Sequence, residues 1–264
     1  MIQYRVPWEH AITLEDAFDL STVKPFLKVS IVIPAFNEAT RIRESLEKIE
    51  NYLGRRNFQS EVIVVDDGSS DDTATICEST KLRNLRVIRN SRNQGKGFSV
   101  RDGVLAASGE YVLFTDADLS APIDELDKLL AVALNENADV VIGSRGIDSK
   151  LIEKHQSSVR ENGGRFFNVV VRTILSLNIH DTQCGFKLFK KSRVESAFRK
   201  QTTAGFGFDP ELLFVMSRQG LKILEIPVRW SHVEGSKIRF LSDGARMFMD
   251  LLLIRWNNLI GKYR

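Results

Sequence analysis

Apolar residues along this chain fall into two alternating arrangements, short β-branched runs and stripes at helical spacing. The run Val29-Ser30-Ile31-Val32-Ile33, closed by Pro34, reads as a buried strand feeding a turn. Ile42, Leu46, Ile49 and Leu53 then recur at spacings of four and three, which puts them on one face of a helix that Asn37 could cap. The unit repeats. Residues 62–65 form a second apolar run, Asp66-Asp67-Gly68-Ser69-Ser70-Asp71 supplies a turn rich in capping residues, and a helix through Ile76 and Cys77 follows. Residues 85–88 predict a third strand, Asn93-Gln94-Gly95-Lys96-Gly97 a flexible basic turn, and Val104, Leu105 and Ala107 a helix. A fourth strand is predicted at 110–114, a helix at 122–135 with Ile123, Leu126, Leu130 and Ala133 inward, and a fifth strand at 140–142. Strands that alternate with helices and lack hairpin turns indicate an α/β fold with a parallel sheet covered on both faces.

Beyond Arg145 the pattern changes. Residues 151–164 are polar and charged and read as a mobile loop; helices are predicted at 165–177 and at 209–219, the latter stopped by Gly220. Strands are predicted at 185–189 and at 222–230, where Pro227 suggests a sheet edge. From Leu241 onward Met247, Phe248, Leu251, Leu252, Trp256 and Leu259 mix with Arg246, Arg255, Lys262 and Arg264. A basic amphipathic helix with aromatic residues either lies in a membrane interface or packs back on its domain, and pattern alone leaves both open.

Ligands of open α/β sheets bind beyond the carboxyl ends of the strands, so the loops holding Asn37, Asp67 and Asp116 should converge. In Asp116-Ala117-Asp118 two carboxylates one residue apart follow the fourth strand. Side chains at i and i+2 of an extended segment share a face, and such a pair suits a hard divalent cation that also takes oxygens from a substrate phosphate. Alternatively, the pair caps the turn ahead of Pro122.

The 264 residues, 43% hydrophobic and 27% charged, are enough for one substantial core. A formal charge of +3 is too mild to argue for nucleic acid as a partner. Cys77 and Cys184, far apart and without zinc-site spacing, fit a reduced cytoplasmic protein with both thiols in the core. Residues 1–28, an N-terminal arm, mix charges with single apolar residues and do not read as a signal peptide. No stretch approaches the ~20 apolar residues that span a bilayer. His155, His180 and His232 read as ordinary loop histidines.

Four segments in order, Ile33-Pro34-Ala35-Phe36-Asn37-Glu38, Val65-Asp66-Asp67-Gly68-Ser69-Ser70-Asp71-Asp72-Thr73, Gly95-Lys96-Gly97 and Asp116-Ala117-Asp118-Leu119-Ser120, resemble family 2 glycosyltransferases, which use nucleotide sugars. Asp181-Thr182-Gln183-Cys184-Gly185-Phe186-Lys187-Leu188-Phe189, Phe208-Asp209-Pro210-Glu211 and Glu234-Gly235-Ser236-Lys237 look like the dolichyl-phosphate glucosyltransferase branch. The resemblance implies a three-layer nucleotide-sugar-binding fold of the Rossmann-like GT-A type, with a mixed, mainly parallel central sheet over residues 29–240 and an amphipathic C-terminal helix over 241–264. It implies inverting transfer of glucose from UDP-glucose to a polyprenyl phosphate, and with the cysteine usage and the basic C-terminal stripe the expectation is a cytoplasmic enzyme, peripheral at the inner face of a membrane. The sequence departs from eukaryotic members of the branch in showing no N-terminal membrane anchor.

On the family's pattern Pro34, Ala35, Phe36 and Glu38 line the nucleoside pocket, and Asp67, an acceptor-only carboxylate, reads the uracil imide N–H. Lys96 and Ala117 lie by the donor, while Asp116 and Asp118 hold Mg2+ or Mn2+, which neutralises charge on the departing UDP. A water would complete the metal shell where Ser120 replaces the Gln of mannosyl relatives. Arg145, Arg160 and Lys237 match basic residues directed at acceptor or donor phosphates. Asp181 matches a carboxylate beside the acceptor, as a positioning group or as a base. Two other readings stay open: a same-fold transferase acting on a protein, glycan or small-molecule hydroxyl, and a silent nucleotide-sugar-binding module. A Rossmann dehydrogenase is disfavoured, because no Gly-x-Gly-x-x-Gly follows the first strand.

Overall fold

The computed structural model describes residues 27–154, 158–233 and 240–264, excluding the side chains of 158–160 and 240–243. Its elements are β1 (Lys28–Ala35), α1 (Ile42–Leu53), β2 (Gln59–Asp66), α2 (Thr73–Ser79), β3 (Leu85–Arg89), α3 (Lys96–Ala106), β4 (Tyr111–Thr115), α4 (Leu126–Asn135), β5 (Val140–Ser144), β6 (Ile152–Lys154), α5 (Ser158–Leu175), β7 (Phe186–Lys190), α6 (Lys191–Lys200), α7 (Phe208–Arg218), β8 (Ile223–Pro227), β9 (Trp230–Ser231) and α8 (Phe240–Leu259).

Seven strands form one sheet in the order β3-β2-β1-β4-β7-β5-β8, and β6 pairs with β9 beside it. All pairs in the large sheet are parallel except those of β7, which runs against both β4 and β5. The sheet is mixed and mainly parallel, as expected. Alternation along each strand builds two cores. Val29, Ile31 and Ile33 of β1 meet Ile42, Leu46 and Ile49 of α1 and Leu126, Leu129 and Leu130 of α4 on one face. On the other, Val32, Ile63, Val65 and Phe114 meet Val100 and Val104 of α3, Phe198 of α6, Leu212 of α7 and Leu251 and Ile254 of α8. The result is three layers. Pro34 is tolerated in a central strand because the β1–β4 pairing ends at Val32.

Several local expectations change. Asn37 does not cap α1; it has φ +53° and accepts from the amide of Ser70, tying the loop after β1 to the one after β2. Residues 151–164 are not one loop, since β6 and the first turns of α5 lie there. Helix α6 was not anticipated, and the 122–135 helix opens with a 3-10 turn at Ile123–Glu125. Gly95-Lys96-Gly97 is not a flexible turn: Gly95, at φ +106°, donates to Asp67, and Lys96 is the first residue of α3. The strand expected over 222–230 divides at Pro227: β8, an edge of the large sheet, ends there, and Trp230 opens β9 in the small sheet.

Candidate active site

The loops that follow β1, β2 and β4 meet at the carboxyl ends of the strands, as the topology requires. They enclose a cavity of about 650 Å³. Pro34, Ala35, Phe36, Glu38, Asp67, Lys96, Asp116, Ala117, Asp118 and Arg145 all line it. The side chain of Arg160, as well as Lys237, lies outside the described residues.

At the ends of β1 and β2, Asp67 is almost fully buried and held in place: Oδ1 accepts from Asn90 Nδ2 and the Gln94 amide, both at 2.9 Å, and Oδ2 from the Gly95 amide at 2.8 Å. It is no helix cap. The cap position of α2 is Asp72, which makes no side-chain cap bond, while Asp71 Oδ1 accepts from the Thr73 amide that opens the helix. Glu38 lines the cavity while its carboxylate pairs with Arg41.

Asp116 and Asp118 share the cavity for a reason other than strand alternation. Strand β4 ends at Thr115, and the Leu119 amide donates to Asp116 O in a turn where Leu119 takes φ +47°. Asp116 also depends on Gly185, because a Cβ there would land within the Asp116 carboxylate. Lys96 Nζ stands 2.6 Å from Asp116 Oδ1, and Arg41 Nη1 stands 3.9 Å from Asp118 Oδ2. Burial, with Asp116 next in effect, raises the Asp118 pKa. Burial works against the Lys96 charge, but Asp116 and then Asp209 outweigh it, and the lysine pKa is raised.

The two carboxylates fit a hard divalent cation. Among the described residues no cluster of three or more His, Cys, Asp or Glu could hold a metal. A two-carboxylate donor set leaves the remaining positions for diphosphate oxygens and water, the coordination that Mg2+ favours.

Beneath this pair, Lys187 is fully buried with Nζ 2.5 Å from Asp209 Oδ1 and 2.6 Å from Cys184 O. Its ammonium also stands 5.6 Å from the centroid of Phe114, whose ring Lys96 approaches to 5.4 Å. Burial pushes the Cys184 thiol up to about 12, so it remains a packing residue.

On the far side of the cavity Asp181 sits behind Arg145 rather than in the wall. Oδ2 accepts from Arg145 Nε at 2.7 Å and its amide at 3.1 Å; Oδ1 accepts from Arg145 Nη2 at 2.8 Å and the Gln183 amide at 3.3 Å. Burial would raise the Asp181 pKa, but Arg145 overcomes it and the net shift is downward. The Arg145 guanidinium also lies 5.4 Å from the ring centroid of Trp230, which stacks on His232. These contacts fix its direction.

Sequence reasoning missed part of the wall: Arg41, Gln183, Gly185, Phe206, Trp230 and His232, with Arg246, Met247 and Asp250 from α8. His232 is therefore no ordinary loop histidine. His180 is remote from metal chemistry, with its amide and Nδ1 on Glu225. The signal for Gly185 was present in its motif; that for α8 was not, because nothing in its spacing says which turn faces a cavity.

Comparison with known proteins shows the family and the fold. The glycosyl transferase family 2 model matches residues 30–198. The dolichyl-phosphate beta-glucosyltransferase of Saccharomyces cerevisiae is 36% identical over 89% of this chain and 76% of its own length, and that of Homo sapiens 33% identical over 91% and 78%. Among solved structures, glucosyl-3-phosphoglycerate synthase of Mycobacterium tuberculosis shares the fold, with a TM-score of 0.64 and 21% identity over 90% of this chain and 82% of that one. A second structure of that synthase holds Mn2+, UDP-glucose and glycerol 3-phosphate, with a TM-score of 0.63, 21% identity and coverage of 90% and 82%. The fold is thus of the GT-A type. With the family match running over more than half of its length, and relatives above 30% identity along most of it, this chain belongs to glycosyl transferase family 2.

Proposed function

We propose that the protein transfers glucose from UDP-glucose to a polyprenyl phosphate of the dolichyl type, with inversion and with Mg2+ or Mn2+ as cofactor. Relatives named dolichyl-phosphate beta-glucosyltransferase over most of the chain support the sugar and the acceptor. The observation that carries the reading is the state of Asp181. Its oxygens are occupied by Arg145 and Gln183, so it is a poor base. A phosphate monoester needs none, since its second pKa is about 6 and its oxygen is already ionised near neutral pH.

In this reading Asp67, Pro34, Ala35, Phe36 and Glu38 hold the nucleoside, and Ala117 and Lys96 flank the diphosphate and sugar. The amino end of α3 faces the same cavity, where backbone N–H groups favour an anion. Asp116 and Asp118 would hold the metal, which supplies Lewis-acid stabilisation of the leaving diphosphate. Arg145, kept in one orientation by Asp181 and Trp230, binds the acceptor phosphate, and Arg160 and Lys237 are proposed to add charge there. Asp181 is a positioning residue in this scheme.

The acceptor lipid arrives from a membrane. Helix α8 serves both needs: Arg246, Met247 and Asp250 line the cavity, and Phe248, Met249, Leu252, Leu253 and Trp256 are exposed. Helix α5 packs beside it and exposes Phe166 and Val169. Together they make an apolar surface suited to peripheral docking on the cytoplasmic face of a bilayer. No helix among the described residues is long and apolar enough to cross one.

Asp250 favours a second reading, a hydroxyl acceptor, because it places a carboxyl in the cavity wall where a base could act, and burial raises its pKa. The test is a transfer assay with purified protein, radiolabelled UDP-glucose and Mg2+, offered dolichyl phosphate or dolichol. Glucolipid from the phosphate alone is expected; transfer to hydroxyls with none to the phosphate sinks the proposal.

A further inference from the structure

Both carboxylates of the Asp116/Asp118 pair already face a cation of this chain. Lys96 Nζ lies 2.6 Å from Asp116 Oδ1, and the Arg41 guanidinium, whose close partner is Glu38, reaches Asp118 Oδ2 at 3.9 Å. The four side chains are only 19 to 31% exposed, so water screens their charges poorly. We propose that Lys96 and Arg41 are exchangeable counter-cations: they neutralise the acidic pair in the nucleotide-free enzyme and pass to the diphosphate when a divalent cation takes the carboxylates. The inference rests on the nucleotide-sugar reading of the cavity and adds to it an order of events and a role for Arg41.

The argument is a charge balance. Asp116 and Asp118 with Lys96 and Arg41 sum to zero. A divalent cation entering alone must compete with the lysine for Asp116 and leaves two positive charges in excess. A nucleotide sugar, whose diphosphate carries two negative charges, leaves both in excess when it enters alone, facing the carboxylates. Entering together, the two ligands restore neutrality, and each displaced side chain finds a new partner. Lys96 sits at the amino end of α3 beside Phe114 and Phe206, and its flexible stem lets the ammonium shift without moving the helix. Metal and nucleotide therefore bind synergistically, and linkage makes the enhancement of each by the other the same factor.

The test reads Mn2+ binding to the full-length chain by electron paramagnetic resonance, with and without UDP, in wild type, Lys96→Met, Lys96→Arg and Arg41→Met. In the wild type UDP should tighten Mn2+ binding by about tenfold or more, within the usual range of coupling factors. Lys96→Met should bind Mn2+ alone several-fold tighter than wild type and lose most of the synergy, and Lys96→Arg should retain it. If Lys96→Met does not fold by circular dichroism, Arg41→Met puts the same question to Asp118. Equal Mn2+ affinity with and without UDP in the wild type, or a charge-removing variant that binds Mn2+ alone no tighter than wild type, overturns the inference. Calorimetry separates this from failure of the nucleotide reading: UDP that binds without affecting Mn2+ overturns the exchange alone, whereas UDP that never binds overturns the reading beneath it.

Discussion

Arg145 grips Asp181 through both edges of its guanidinium, Nε at 2.7 Å from Oδ2 and Nη2 at 2.8 Å from Oδ1. The Asp181 pKa is lowered, so the stability this pair contributes is fully present above the ordinary carboxylate value of about 3.9 and is lost only as pH falls through the lower folded value. Asp181 does not titrate in the working range. An acid limb in kcat/KM near pH 6 should therefore report the acceptor phosphate, whose second pKa is about 6. Asp181→Asn should lower the rate by about 10 to 100-fold through misplacement of Arg145 and keep that limb in place. A pH–rate profile in which the limb vanishes with the carboxylate would return Asp181 to the role of base.

Gly185 is the only residue type that fits beside Asp116, because a Cβ would overlap its carboxylate. Gly185→Ala should displace Asp116 and reduce metal-supported transfer by about 100-fold, the scale of a 1 Å error in a reacting group. Thermal denaturation with the transfer assay checks this, and a folded variant of normal activity would contradict it.

Lys187 and Asp209 form a buried pair whose members lie within a few per cent of full burial. Lys187→Met should cost about 3–5 kcal/mol, the penalty of stranding one buried charge. Lys187→Met combined with Asp209→Leu should recover much of that loss. Urea denaturation measures both, and equal instability of single and double variants would mean that packing around Phe114 dominates.

Leu252 and Trp256 are 45% and 60% exposed on α8. Replacing both with Glu should leave the melting temperature unchanged and reduce sedimentation with vesicles containing anionic lipid by about tenfold, as several buried apolar side chains are lost from the interface. Vesicle binding equal to wild type would remove the membrane role from α8.

Six of the seven strands of the large sheet were legible as β-branched or apolar runs closed by turn residues, and the seventh, β8, as the first part of a longer run; β6 and β9, of three and two residues, were not. Helix α6 was not, since its buried face is only Val194, Ala197 and Phe198 in an otherwise charged segment. The direction of β7 was hidden for a different reason: Phe186–Lys190 pleats identically either way, and only its neighbours decide. The part of the cavity wall built by the loops after β1, β2 and β4 was readable as a motif because one short loop follows each strand. Trp230, His232 and the α8 residues reach the cavity from distant points of the chain, and no spacing rule announces that. The local reason for Asp116 and Asp118 facing together was also misread, as a turn rather than a strand aligns them.

Because β7 enters against the grain of β4 and β5, its beginning rather than its end opens on the cavity and brings Gly185 beside Asp116. The polypeptide is thereby divisible near Ser144, where β5 stops. In the proposed scheme the residues assigned to the sugar donor, from Pro34 to Asp118, precede that point, and Arg145, Arg160 and Lys237, assigned to the acceptor, follow it. On that scheme chimaeras joined there should exchange recipients, provided that the incoming part keeps a glycine beside Asp116 at the beginning of the reversed strand.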